Sequence, residues 1–430
     1  MEILRNTSFL CGHFSMNDWR AFADVIQKAG WQLSILNEEE LTDCKNYYYS
    51  EFVDFIHHNP NVNAKKRKSA LEGVVRYKKY FNKRISLKIN DEKSVEVNVG
   101  SVDFYLSPFN IVIFTIAATM ENVDYNDMSR ALLTMRDLCH YSEEKAGEFV
   151  NEVIRPIYDI YAQAQDGKVE SVQWNFNTLV DNGNKLKLFQ INEIAETASL
   201  SYAKFDRMLY DMGCLMPLSE KEDDGNDLYY NKVMEAGRVA VFPDWRALAL
   251  FDSYTIVSSQ LPDFRRDIWT NDYYGMIFVY SLFCHAFLLQ YDSHFRARNC
   301  DIKKLEADIL LFERRYSYKR FSYNFLPLEI SQALERALEL QDGIDNLHNM
   351  VTQASAVYEK ESDDKMNKVL TFLAVITICS TIWDLFSLLD AAFTFGDEGT
   401  GLLGFRIAVS LLVLIIIAVF FIFRKSHSKR

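Results

Sequence analysis

The sequence predicts an α/β body that leads into a long stalk helix and two transmembrane helices. Three observations carry this prediction. Strand-like and helix-like periodicities interleave over the first 268 residues. A helical pattern runs without proline from Pro327 into an apolar stretch. A second apolar stretch follows after a short acidic connection. The expected organisation is an α/β cytosolic domain (1–268), a long helical hairpin (269–326), a stalk helix (327–368), a first span (369–389), an outer loop (390–401), a second span (402–423) and a basic tail (424–430).

The elements follow in order. Residues 7–11 form a short apolar strand, and Ser15 with Asp18 resembles a capping box. Trp19, Phe22, Ile26 and Ala29 recur at helical spacing up to Gly30, and Trp31, Leu33 and Ile35 alternate as a strand. This is a β-α-β start. Residues 61–84 carry nine Lys and Arg side chains against the single acid Glu72. Lys65, Lys66, Arg67, Lys68 and Arg76 are either an anion site, for a nucleotide or acidic partner, or a solvated helix face. No glycine-rich phosphate loop lies nearby.

Residues 85–89 and 95–99 alternate around Asn90-Asp91-Glu92-Lys93 and read as a hairpin. Further strands are expected at 102–106 and 111–117, helices at 126–140 and 143–165, strands within 170–193, a polar loop at 217–228, and strands at 238–242 and 248–257. Residues 271–299 form a long helix whose apolar part, 275–289, is short for a membrane span and reads as buried. Cys284 and His285 are about 100° apart on it and form no dyad. The pair His57-His58 reads as an exposed helix end. Asp301 caps a helix with the seam Ile302, Leu305, Ile309, Phe312 and Tyr316. From Pro327 to Leu389 is 63 residues, roughly 95 Å if continuous. Gly343 is its weak point, and its seam calls for partner helices, of which copies of the same chain are the simplest.

Bulk composition limits the function classes. The net charge of −12 argues against a nucleic-acid-coating surface, and no direct nucleic-acid binding is expected. The seven scattered cysteines, with no C-x-x-C, read as reduced thiols. The first residues lack a basic region followed by a long apolar run, so no signal peptide is expected. No HExxH, GxxxxGK[ST] or GxSxG motif is present, and the expectation is a protein that is not an enzyme.

The membrane end is more specific. Residues 369–389 carry one charge, Asp384, over 21 residues, about 31 Å of helix. Lys365 and Lys368 before this span, the basic tail and the acidic connection predict that both termini face the cytoplasm of a multi-pass plasma-membrane protein. Thr377, Ser380, Thr381, Asp384 and Ser387 gather on one side of the first span, whereas 411–423 has no polar side chain. Asp384 is read either as a helix–helix hydrogen bond or a pair with Arg406, or as one member of a carboxylate ring favouring cations. Glu359, Glu361, Asp363 and Asp364 either concentrate cations at an inner mouth or form a solvated stretch.

This layout, and the local run Met366-Asn367-Lys368-Val369-Leu370-Thr371, resembles the CorA family of divalent-cation channels. The resemblance implies a homopentameric funnel in the bilayer, with Asn367, Leu370, Ala374, Ile378, Thr381 and Leu385 on the pore-facing side. Leu388-Leu389-Asp390 stands where the family has Gly-Met-Asn, so Asp390 is the implied weak metal position, and the family's proline in the first span is absent. Members lacking the triplet include effectors associated with type III CRISPR defence. That likeness implies a cytosolic domain sensing an adenine nucleotide made from S-adenosylmethionine and ATP (SAM-AMP), with magnesium as a permeant or regulatory ion. The expected function is therefore a ligand-gated, cation-conducting oligomeric channel. The alternatives are a constitutive magnesium or cobalt transporter, and a non-conducting membrane-anchored receptor or scaffold.

Overall fold

The computed structural model describes residues 1–61, 71–90, 92–138, 147–166, 179, 185–195, 201–218, 227–259, 261–298, 300–393 and 410. The chain divides into two compact units, Met1–Val351 and Thr352–Arg430.

The first unit is built on a mixed sheet. Its strands are β1 (Glu2–Ser15), β2 (Gln32–Ser34), β3 (Val75–Lys88), β4 (Ser94–Ser107), β5 (Ile111–Asp124), β6 (Lys187–Ile194), β7 (Arg238–Val239), β8 (Trp245–Ala249) and β9 (Ser253–Ser259). Among the described residues they form one sheet in the order β2-β3-β4-β5-β1-β6-β9-β8-β7. All neighbouring pairs are antiparallel except β6 with β9.

Helices cover both faces. On one lie α1 (Trp19–Lys28), α4 (Tyr125–Arg136), α5 (Arg155–Asp166) and α6 (Tyr202–Cys214), which bury Phe22, Met128, Ile157 and Leu209 against Leu10, Phe114 and Leu188. On the other lie α3 (Ser50–Ile56), a π-helical segment (Trp269–Phe278), α9 (Val279–Arg296), α10 (Ile302–Arg315) and α11 (Phe325–Ala337). These bury Phe52, Phe283, Phe312 and Leu334 with Ile113, Phe189 and Ile256. Two covered faces explain why β5 opens on the continuous apolar run Ile111–Phe114 rather than on alternation. Three further helices are α2 (Glu38–Tyr47), α7 (Asp227–Gly237) and α8 (Asp263–Ile268).

Several expectations change. The cap of α1 is Asp18 alone, whose carboxylate accepts from the amides of Arg20 and Ala21 at 2.9 Å. The hairpin at 85–99 is real, with Lys88 opposite Ser94, but its arms are 14 residues each and absorb the strand expected at 102–106. The described part of the basic stretch is strand, not helix: Arg76, Lys78, Lys79, Lys83 and Arg84 lie on β3. The strand expected at 248–257 is instead the β8–β9 hairpin.

The helix expected to run unbroken from Pro327 is two helices. α11 ends at Ala337 and α12 (Leu340–Phe393) begins after Glu339, which is left-handed at φ 53. The break thus falls four residues before Gly343. The seam of this region is also satisfied at home. Ile330, Leu334, Leu347 and Val351 are buried in the chain's own core, so up to Val351 it calls for no second copy.

Candidate functional site

The second unit contributes the described part of α12 from Thr352 onward. Among the described residues, two helices are long and apolar enough to cross a membrane. The first, Asp263–Arg296, has 83% of its apolar window buried and is the core helix on which the sheet packs. The second, Asp363–Leu385, has 0% buried. Its Val369, Leu370, Phe372, Leu373, Ile376 and Ile378 are each 48–61% exposed. An uncovered apolar surface of this length is the kind that lipid or other protein covers.

Four hydroxyls on this helix bond to its own backbone. Thr371, Thr377, Thr381 and Ser387 donate to the carbonyl four residues earlier, at 2.6–3.0 Å. Their polarity is met without water or a neighbour. Asp384 differs, because its carboxylate has no hydrogen-bond or ion-pair partner among the described residues. At 100° per residue, Asn367, Leu370, Ala374, Ile378, Thr381 and Leu385 share an arc of about 80°. Asp384 falls about 80° from the middle of that arc, and position 390 lies nearly opposite it. The resemblance-based stripe and the polar side therefore share only Thr381. The second span apart from position 410, with Arg406, the basic tail, and residues 394–401 of the outer loop lie outside the described residues, as do Lys65, Lys66, Arg67 and Lys68.

Arg76, the fifth residue of the basic set, points its charge into the protein. Its Nη2 donates to Asp103 Oδ2 at 2.6 Å, and the Asp103 side chain is 4% exposed. The guanidinium also sits over the Tyr105 ring at 5.4 Å. The histidine pair at the end of α3 is not exposed: burial, then the charge of Arg76, pushes His57 down to about 4. Burial also lowers His58. Cys284 and His285 are both core residues, and burial pushes the Cys284 thiol up to about 12.

Two features escaped the sequence reading. One is the π-helical stretch Trp269–Phe278, where burial alone pushes Asp272 up to about 6. The other is a cavity of about 700 Å³ between the turn joining β4 to β5 and the α9–α10 hairpin. Its walls carry Ser107, Phe109, Tyr291, His294, Lys304 and Asp308. Nothing in local sequence flags it, since residues 107–110 and 290–308 meet only in the fold. Among the described residues no group of three or more His, Cys, Asp or Glu is placed to hold a metal. The six described cysteines are free thiols.

Fold and site together define a mixed α/β protein carrying a candidate membrane helix. No protein-family model, curated protein or solved structure matches the chain.

Proposed function

We propose that this chain is an oligomeric membrane channel of CorA-like layout, cation-conducting and opened by a ligand at its α/β unit. In this reading copies surround a pore lined by α12, a homopentamer being the number the resemblance implies. Both termini lie in the cytoplasm, and an adenine nucleotide such as SAM-AMP is the proposed trigger. The observation that carries the reading is α12 itself: an apolar window with 0% buried and a lone carboxylate, Asp384. A carboxylate at the centre of a bilayer costs about 2.5–3.5 kcal/mol on insertion scales, and Asp384, five residues inside the outer end of the span 369–389, meets part of that cost. Facing a shared aqueous path removes most of that cost.

A second reading, a membrane-anchored binding protein with no conduction, draws on the buried seam up to Val351, which removes one reason for copies to associate.

The two readings part on one experiment. In membranes carrying full-length chain with Cys379→Ser, Asp384→Cys should form disulfide-linked dimers under mild oxidation. Reconstituted wild-type chain should pass potassium or magnesium, and Asp384→Asn should cut that flux by about ten-fold or more, the effect of losing a carboxylate ring. Absence of both the crosslink and the flux would leave the anchored binding protein as the reading.

A further inference from the structure

We propose that the cavity between the β4–β5 turn and the α9–α10 hairpin binds a small organic cation, an amine carried on a flat aromatic body. The volume of about 700 Å³ lies inside the range of roughly 300–1,000 Å³ typical of small-molecule sites.

The turn is held in a costly shape. Phe109 and Asn110 are consecutive non-glycine residues at φ 60 and φ 62, each costing about 1–3 kcal/mol. Their conformation is fixed from outside. Gln290 Nε2 donates to the Phe109 carbonyl at 3.0 Å, and Ser15 Oγ donates to Gln290 Oε1 at 2.9 Å. The Met16 amide donates to the Asn110 carbonyl at 2.8 Å. This arrangement sets the Phe109 ring among other rings, 5.8 Å from Tyr291 and 5.5 Å from Tyr316. All three residues line the cavity.

The charges choose the ligand class. Asp308 accepts the Tyr291 hydroxyl at 2.9 Å, and Asp301 accepts the Lys304 amide at 3.1 Å. An ionised carboxylate has lone pairs beyond one such bond, so both carboxylates can take a further donor. Against them stands Lys304, whose ammonium has no ion pair among the described residues, so the wall sets two carboxylates against one ammonium. Aromatic faces also attract cations. An ammonium on a flat apolar body uses all of these features, whereas a carboxylate on the same body meets repulsion.

Binding is read directly, independent of any conduction. Full-length chain in detergent is titrated with phenethylamine, 3-phenylpropionate and 2-phenylethanol, following saturation-transfer NMR and thermal shift. The amine should bind at least about ten-fold tighter than the carboxylate, the margin of a charge-assisted hydrogen bond. Asp308→Asn, which can still accept from Tyr291, should erase that margin and leave the alcohol unchanged. Asp301→Asn, which keeps the helix cap, serves if the first variant does not fold. Ala297→Trp, at an exposed position on the wall, should block all three probes. Equal affinities, preference for the carboxylate, amine binding that survives Ala297→Trp, or no transfer to the amine at millimolar concentration would each overturn the proposal.

Discussion

Asp103→Asn decides whether Arg76 is a structural charge or one available to a ligand. The pair has one short hydrogen bond, 2.6 Å, and Arg76 Nε and Asp103 Oδ1 have no partner among the described residues. The substitution keeps the shape and removes the negative charge. Breaking a fully buried ion pair costs about 3–5 kcal/mol. The Arg76 side chain keeps 22% exposure, so part of its charge stays solvated and the expected cost is about 2–3 kcal/mol. For a unit as large as Met1–Val351, that lowers Tm by roughly 3–4 °C. Replacing both partners, Arg76→Met with Asp103→Leu, removes both desolvation penalties and should return most of the loss. Thermal unfolding of the full chain in detergent, followed by tryptophan fluorescence, measures all three proteins. A loss below about 0.5 kcal/mol for Asp103→Asn, the scale of an exposed pair, would refute the buried pairing and free Arg76 for a ligand.

Two further predictions concern acid and a turn. His57 falls from 6.5 to about 4 on folding. Between those values the unfolded chain binds a proton that the folded chain refuses, so stability drops as pH falls. His57→Gln should remove about 1–2 kcal/mol of that drop, after allowance for the partial exposure of the ring. Asp272, raised from 3.8 to about 6, acts in the opposite sense: the folded form binds the extra proton, so Asp272→Asn should steepen the acid loss. Denaturant melts from pH 7 to pH 4 read both, and an unchanged slope in His57→Gln would sink the assignment. Glu339→Gly should raise Tm, because glycine relieves a left-handed residue at φ 53 by roughly 0.5–1 kcal/mol. A fall in Tm would mean that the glutamate side chain holds the α11–α12 junction.

The parts of the fold that were legible are those set by short-range chemistry. The β3–β4 hairpin reads from alternation plus Asn90, whose Oδ1 accepts the amides of Glu92 and Lys93 at 3.0 and 2.7 Å. The cap at Asp301 reads for the same reason. What failed depends on distant neighbours. The α11–α12 break has neither proline nor glycine at Leu338-Glu339, and Leu338 and Leu340 are buried on either side of it, so packing makes the corner. The β8–β9 turn at Leu250-Phe251-Asp252 is hidden because the apolar run continues into it. Of the candidate site, the exposed apolar helix was legible from composition alone. The cavity was not, since residues 107–110 and 290–308 are far apart in the chain and meet only in the fold.

The register we propose for α12 follows from which of its groups brings an unpaired charge. Thr377, Thr381 and Ser387 point to one side in sequence, yet each is satisfied by its own helix, so lipid can cover them at modest cost. The stripe implied by the CorA resemblance is mostly apolar, with Leu370, Ala374, Ile378 and Leu385, and lipid covers that side at no cost. Only Asp384 brings a charge that neither its helix nor hydrocarbon accommodates. In the channel we propose, the rotation of the helix is therefore set by Asp384 rather than by the family stripe, from whose middle it is displaced by about 80°. Cys379, about 140° from Asp384 around the helix, would then face lipid, the side from which a membrane-impermeant thiol reagent is excluded.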